Sequence, residues 1–398
     1  MACEPGPCPI CSNATTYSLV ALAPPTMLSD GQASSSPLDW AMCDACGSAF
    51  RHNMPTPQQI SAVFNEDYVL YDHAPEHTFE RQRQAAYAEW LTPLIGPGHS
   101  ALFEAGCGNG SLLLEIGARR PTLSLQGLEP ANGAAEHGRR AGVDIITGFL
   151  HDHAEKIAKA DIRLAVNVIE HVPDPKEFLA DLSRDLPDKG RVIAVCPDGS
   201  RVADDLLVAD HLYAFTGTGL SILAAEVGLE VEQMIPAPPA IGSFHAAVLG
   251  TASSFSSIPA PPYEKQPDLD GLRRARNSFL TSWKHLDAAL IAALNRHGAR
   301  DVSCFGAGET ANQLRIYAPT FWRRVNRCVV DGSPPTSTVA GVPVVPFRAE
   351  ELAGPEKLMV IATKSSSQTI IANRLAKQNI TVIPLDRYLE VARGDIHA

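Results

Sequence analysis

The stretch Phe103-Glu104-Ala105-Gly106-Cys107-Gly108-Asn109-Gly110-Ser111 puts an acid at the tip of an apolar run and glycines at every second position after it. Glycine adopts positive φ without a Cβ clash, so this spacing predicts a tight turn whose backbone lets a ligand come close. Leu112, Leu113, Leu114 and Ile116 follow with helical spacing, so the turn opens into a helix N-terminus. A second acid, Glu129, ends the next apolar run in Gly127-Leu128-Glu129-Pro130. In nucleotide-binding α/β folds, the carboxylate that accepts from ribose hydroxyls ends the second strand. Glycines alone would only permit tight strand–helix packing. Strand, turn, helix and a second carboxylate in this order point to a nucleoside ligand.

The acid-first spelling, E-x-G-x-G-x-G, resembles the S-adenosylmethionine loop of class I methyltransferases more than a dinucleotide fingerprint. The resemblance implies a Rossmann-like α/β core with S-adenosyl-L-methionine as cofactor, held by Glu104, Gly106, Gly108, Gly110 and Glu129.

Composition bounds the rest. A chain of 398 residues is too long for one typical core, and two to three domains are expected. Hydrophobic content of 45% with 19% charged residues is that of a globular protein and argues against disorder. A net charge of −11 leaves no basic surplus to neutralise phosphates, which excludes a nucleic-acid partner from the expectations. No apolar run approaches the roughly 18–20 residues of a membrane span. Met1-Ala2-Cys3-Glu4-Pro5 lacks the basic and apolar regions of a secretory signal, so a cytoplasmic protein is expected.

Four segments follow from shifts in pattern. Residues 1–74 form an expected zinc-binding module, cysteine-paired around a Pro/Ser/Gly-rich middle. Residues 75–252 alternate strand and helix, with strands expected at Ala101–Glu104, Ser124–Leu128, Val143–Thr147, Ile162–Val168 and Arg191–Val195. Such alternation implies a parallel, doubly wound sheet. Residues 253–297 read as a Ser/Pro-rich linker followed by an amphipathic helix from about Leu269 to Arg296. Residues 298–398 alternate again, with strands expected at Val302–Phe305, Arg327–Val330, Leu358–Ala362 and Thr381–Pro384, a second Rossmann-like unit.

Cys8-Pro9-Ile10-Cys11 and Cys43-Asp44-Ala45-Cys46 are two C-x-x-C knuckles separated by the 31 residues 12–42. Zinc wants four ligands in a tetrahedron, and each knuckle presents two thiolates from one turn. Cys8, Cys11, Cys43 and Cys46 therefore predict a structural Zn2+ that staples a segment too small to fold on burial alone. With all four positions filled by thiolates, no coordination site remains for catalysis. A redox dithiol competes for either knuckle alone but not for both together. Cys107, Cys196, Cys304 and Cys328 read as small buried apolar residues.

The order of zinc module, methyltransferase core and second Rossmann-like unit resembles the sugar C-methyltransferases that act on nucleotide-linked keto-deoxysugars. Further motifs carry this resemblance. Phe64-Asn65-Glu66-Asp67-Tyr68 resembles the family's F..-Y segment, and Gly127-Leu128-Glu129-Pro130-Ala131-Asn132 its G-[IL]-[DE]-P-s-n signature. Asn167-Val168-Ile169-Glu170-His171-Val172-Pro173-Asp174 resembles N-V-x-x-H-v-x-D, and Gly242-Ser243-Phe244-His245 resembles G-G-S-x-R. Phe305-Gly306-Ala307-Gly308 and Val329-Val330-Asp331-Gly332-Ser333-Pro334 resemble the glycine-rich turn and v-D-x-x-P of the C-terminal unit. The chain departs from the family at the Y-H-E-H segment, which reads Val208-Ala209-Asp210-His211. It departs again after the C-terminal turn, where Glu309-Thr310-Ala311-Asn312 replaces a lysine and glycine, and at His245, which replaces an arginine.

The resemblance implies carbon methylation through an enolate, which needs a base beside an acceptor carbonyl. A near-neutral imidazole suits that step and an adjacent carboxylate can orient it, so His211 is expected as the base with Asp210 beside it. Asn167 and either Phe149 or Leu150, after the third and fourth strands, are expected to flank the cofactor. His171, His245, Tyr68 and Tyr71 are expected around a small-molecule acceptor, a nucleotide-linked sugar being the family's choice. For His171 the competing role is a structural hydrogen bond, for His211 it is capping or packing before Phe215, and for the tyrosines it is interdomain packing.

Three other functions compete. Transfer to oxygen or nitrogen of a small natural-product intermediate fits the altered acceptor motifs. An oxidoreductase could use Gly306-Ala307-Gly308-Glu309-Thr310-Ala311 with Asp331, 25 residues beyond Gly306, as its ribose acid. A zinc-bearing scaffold with a dead core would not be expected to keep Glu104, the glycines and Glu129 together.

Overall fold

A computed structural model describes residues 5–64, 78–153, 155, 157, 160–251, 268–334, 336–354 and 356–389. Tyr68, Tyr71 and most of the expected linker lie outside these residues. Contacts divide the chain into two compact units, and the division does not follow chain order. Unit 1 comprises residues 1–18, 39–205 and 210–272; unit 2 comprises residues 19–38, 206–209 and 273–398. Residues 19–38, expected inside the zinc module, thus group with the C-terminal part of the chain.

The core of unit 1 is a seven-stranded sheet: β1 (Ala101–Ala105), β2 (Ser124–Glu129), β3 (Ile145–Thr147), β4 (Ile162–Val166), β5 (Arg191–Pro197), β6 (Glu230–Pro236) and β7 (Phe244–Gly250). The spatial order is β6-β7-β5-β4-β1-β2-β3. β1 to β5 pair in parallel, while β7 runs antiparallel to both β5 and β6. This is an α/β fold with the strand order of a class I methyltransferase core. Parallel strands are buried on both faces, which explains the apolar run Val192–Pro197 of β5; β4 is buried as well, with Arg163 as its one charged residue. Helices Ser111–Arg119, Asn132–Arg140, Pro175–Ser183 and Gly217–Glu226 follow β1, β2, β4 and the loop beyond β5. From β1 the sheet grows through β2 and β3 on one side and through β4 and β5 on the other. The crevice beyond the carboxyl ends of β1 and β4 is therefore the topological switch point, where such sheets bind ligands.

The four-cysteine region is joined to this core by a shared sheet. Strands Thr16–Ser18, Trp40–Cys43, Ala49–Arg51 and Tyr213–Ala214 pair in that order, with Tyr213 opposite Phe50. Thr216 caps helix Gly217–Glu226 by accepting from the Gly219 amide at 3.0 Å. Its hydroxyl also donates to the Cys46 carbonyl at 2.6 Å.

Unit 2 holds a six-stranded sheet: β8 (Asp301–Phe305), β9 (Val325–Val330), β10 (Thr338–Val339), β11 (Val342–Pro346), β12 (Lys357–Ile361) and β13 (Val382–Pro384). Its order is β10-β11-β9-β8-β12-β13, with all pairs parallel except β10–β11. A helix spans Leu269–His297, as the amphipathic spacing predicts. No helix among the described residues is long and apolar enough to cross a membrane.

Candidate functional site

The glycine turn forms as its spelling requires. Gly106, Gly108 and Gly110 have φ of 70°, 55° and 73°, the left-handed region that side chains disfavour. Two of them also lack room: a Cβ on Gly106 would stand 2.5 Å from Val168 Cγ2, and one on Gly110 3.0 Å from Val143. Gly108 differs, because a Cβ there would meet nothing within 4 Å. The backbone at Gly108 is open on the side a ligand would approach.

Glu129 is buried at the tip of β2, and each of its oxygens accepts one backbone amide. Gly108 N–H donates to Oε2 at 2.8 Å and Ala131 N–H to Oε1 at 2.8 Å. Burial raises its pKa, and the two amides oppose that shift. Each oxygen keeps a further lone pair, so a ribose diol can be held without breaking the turn. Glu104 is also buried, and its Oε2 has no hydrogen-bond partner. Desolvation, followed by the nearby charge of Glu129, raises the Glu104 pKa to about 8. An orphaned carboxylate beside an open glycine backbone suits a ligand that carries positive charge. The residues present therefore fit S-adenosylmethionine, whose sulfonium and ammonium groups are cationic and whose ribose needs an acceptor.

Asn167 sits just past β4 with φ of 56°, and its amide N–H donates to the Val195 carbonyl at 2.9 Å. Its side chain donates to the Tyr87 hydroxyl at 3.4 Å, and its buried Oδ1 has no partner. Tyr87, fully buried, was not anticipated from the sequence; only the apolar face of its helix hinted at burial. Of the two residues after β3, Phe149 is half-buried and stacks on His151 with ring centroids 5.8 Å apart. Leu150 is buried in the core and starts a short 3-10 turn. Phe149 is thus the one of the pair with ring surface to offer.

Beyond β4 and β5 the structure brings together residues 40 positions apart. His171 and His211 meet edge to face, with centroids 4.7 Å apart. The Asp210 carbonyl lies 2.9 Å from His171 Nδ1, and the Asp210 carboxylate 3.6 Å from the same nitrogen. The carboxylate expected beside His211 therefore stands against His171, because the turn into Tyr213 directs successive side chains to different sides. His211 Nδ1 has no partner, and the ring also makes a backbone hydrogen bond with Asp205. Desolvation, then electrostatic interaction with His171, hold the His211 pKa well below the usual histidine value, so the His211 ring is neutral near pH 7. Glu170, which the sequence reading quoted but did not single out, is buried beside the two histidines, and its pKa is pushed up to about 8 by desolvation. An acid directly preceding His171 was the available signal.

His245 corrects an expectation. It lies within β7 and not in a loop, buried opposite Cys196 of β5. Its Nε2 is 3.3 Å from Cys196 Sγ and its Nδ1 3.7 Å from Asp198. Burial lowers its pKa. The sequence cannot show this pairing, because it depends on the antiparallel register of β5 and β7.

The four thiols of the knuckles converge, all within 4.8 Å of one another. Cys8 Sγ lies 3.9 Å from Cys46 Sγ, and Cys11 Sγ 3.4 Å from Cys43 Sγ. Tetrahedral zinc with Zn–S of about 2.3 Å separates its sulfurs by roughly 3.8 Å. These distances bracket that value, so the donor set fits zinc in both chemistry and spacing.

In unit 2, the elements of the oxidoreductase reading are otherwise engaged. A Cβ on Gly306 would stand 2.2 Å from the Ala362 carbonyl oxygen, and its φ is 119°, so close strand contact and backbone conformation both call for glycine there. The Asp331 carboxylate accepts from Arg374 at 2.8 Å, and that guanidinium lies over the rings of Phe305 and Phe347.

Residues 79–234 match the family described as "Methyltransferase domain". An uncharacterized 37.1 kDa protein in transposon TN4556 of Streptomyces fradiae is 27% identical over 201 residues, covering 44% of this chain and 58% of that one. The solved structure of the mitomycin 7-O-methyltransferase MmcR is 19% identical, with a TM-score of 0.40 over 50% of this chain and 62% of that chain. The magnesium protoporphyrin IX methyltransferase ChlM from Synechocystis PCC 6803 with bound SAM is 14% identical, with a TM-score of 0.37 over 50% of this chain and 100% of that chain. The chain spans less than two thirds of the length of the Streptomyces fradiae protein and of MmcR. At these TM-scores neither structure fixes an acceptor. Glycine turn, Glu129 and histidine pair all fall inside residues 79–234, the segment that matches the methyltransferase domain.

Proposed function

We propose that this protein transfers a methyl group from S-adenosylmethionine to a small natural-product or sugar-type acceptor, with carbon beside a carbonyl as the first-choice target. The observation that carries the reading is the pair of buried carboxylates around the glycine turn: Glu129, anchored by two amides, and Glu104, with an orphaned oxygen. When bound, S-adenosylmethionine supplies an electrophilic methyl on a sulfonium. The chain's own residues bind, orient and exclude water. Glu129 accepts from the ribose, Glu104 balances cationic charge, and Asn167 Oδ1 offers a further acceptor. Phe149 supplies an adenine-facing ring.

On this reading His211 is the base of carbon methylation. Its Nδ1 lone pair is unpartnered and its ring is neutral near pH 7, as proton removal from carbon beside a carbonyl requires. His171 lies against it, with Asp210 holding the His171 ring. A nucleotide-linked sugar is the acceptor the family resemblance favours. Transfer to oxygen or nitrogen of a small natural-product intermediate is the second reading, supported by the altered acceptor motifs. Cys8, Cys11, Cys43 and Cys46 hold a structural zinc, which fixes the small sheet that ends on Tyr213. A cytoplasmic setting would keep these thiols reduced.

The test is calorimetry with S-adenosylmethionine, followed by mass spectrometry after incubation with methyl-labelled donor and a panel of keto-sugars and phenolic intermediates. Stoichiometric donor binding and a labelled product are expected, and the labelled atom separates carbon from oxygen transfer. No donor binding by folded protein overturns the proposal.

A further inference from the structure

Glu170, His171 and His211 each offer one ligand atom, and these atoms lie within 4.8 Å of one another. Glu170 is 1% exposed, and neither carboxylate oxygen has a hydrogen-bond partner. His211 is 9% exposed, and its Nδ1 has none either. Burying polar atoms without partners is costly, and a native site that retains three of them in one place usually serves a ligand. The supporting contacts suit a cation. The Asp210 carbonyl takes the Nδ1 side of His171, which leaves Nε2 as the free lone pair. The Glu170 carbonyl accepts from the Leu212 amide at 2.7 Å, which ties the segment after β4 to the segment bearing His211.

We propose that Glu170, His171 and His211 form a second metal site, for a divalent transition-metal cation, distinct from the four-cysteine cluster. Two imidazoles and one carboxylate suit Zn2+, Mn2+ or Fe2+ and leave coordination positions open. Ligand atoms about 2.0–2.2 Å from one cation stand roughly 3–4 Å apart, so the three groups need only draw together slightly. With the cation in place, the Nδ1 lone pair of His211 serves as a ligand and no longer as a base. The open positions then face the acceptor side, where a carbonyl or hydroxyl oxygen can coordinate and be polarised. That role, though not the existence of the site, rests on the methyltransferase reading.

The experiment uses the full chain with its cysteine cluster loaded with zinc, titrated with MnCl2 and followed by the electron paramagnetic resonance of free Mn2+. Metal analysis after equilibration with excess zinc runs in parallel. One Mn2+ per chain is expected to bind, and zinc content should reach two equivalents. Glu170→Gln and His211→Gln should each weaken Mn2+ binding by about tenfold or more and return zinc to one equivalent. Mn2+ should raise the melting temperature of the wild-type protein and leave that of Glu170→Gln unmoved, while His151→Ala, at an exposed position, should bind as wild type. No metal beyond the cysteine equivalent up to millimolar concentration, or unchanged binding in both variants, overturns the proposal. Donor calorimetry on the same samples separates outcomes: intact donor binding without Mn2+ uptake sinks the cation site alone.

Discussion

Glu129 Oε2 accepts the backbone amide of Gly108 at 2.8 Å, so the acid closing the second strand is fastened to the middle of the turn after the first. The carboxylate proposed to hold the ribose and the open glycine backbone are thereby fastened together before any ligand arrives. Pre-formed geometry of this kind lowers the ordering cost of binding.

Glu129→Ala removes both the ribose acceptor and the anchor of the turn. Donor affinity should fall by about 1–3 kcal/mol, the range for losing hydrogen bonds to a charged group. Calorimetry checks this, and an unchanged dissociation constant would remove Glu129 from the site.

Glu104 gives a pH signature. Its carboxyl is raised to about 8 by burial and by Glu129, so much of it is protonated at neutral pH in the free protein. A cationic ligand favours the ionised form, so binding should expel a proton from this group between about pH 6 and 9. Calorimetry in buffers of different ionisation enthalpy counts the protons, and Glu104→Gln should abolish the Glu104 share. The same variant should stabilise the free protein. An acid whose pKa is higher folded than unfolded loses stability as pH rises from its unfolded value of 4.5 to about 8. The gain should therefore be small near pH 4 and largest above pH 8.

His211→Ala should abolish turnover while leaving donor affinity within about twofold, because the ring lies beyond the turn and touches none of its groups in the contacts described. Stopped assays with labelled donor test the first half and calorimetry the second. Retained activity would remove His211 from the base role.

Zinc removal tests the knuckles. A strong chelator, or Cys11→Ser, should release one zinc and lower the melting temperature by several degrees. Structural zinc contributes on the order of 10 kcal/mol to modules of this size. Loss of metal without change in unfolding would show the four thiols to be incidental.

Much of this was legible beforehand, and the boundary has a physical cause. Local spelling set β1, β2, β4 and β5 to within two residues, because buried parallel strands read as continuous apolar runs. The third strand begins at Ile145 and not at Val143, since Val143 is needed beneath Gly110. β6 and β7 escaped notice: β6 is half-exposed along its length and lies at the sheet edge, so its apolar signal is diluted. The partners of His245 and the convergence of Glu170 with His211 arise from pairings across about 40 residues or more, which no spacing rule encodes. The association of residues 19–38 with the C-terminal unit is equally non-local.

One strand pair ties two of these features together. Phe50, a few residues past the second knuckle, faces Tyr213, two residues past His211, in the same small sheet. The Arg51 amide also donates to the Leu212 carbonyl at 2.9 Å. On the proposed reading, oxidising or stripping the thiol cluster would therefore slacken the backbone that carries His211, and turnover would answer to the redox state of the surroundings.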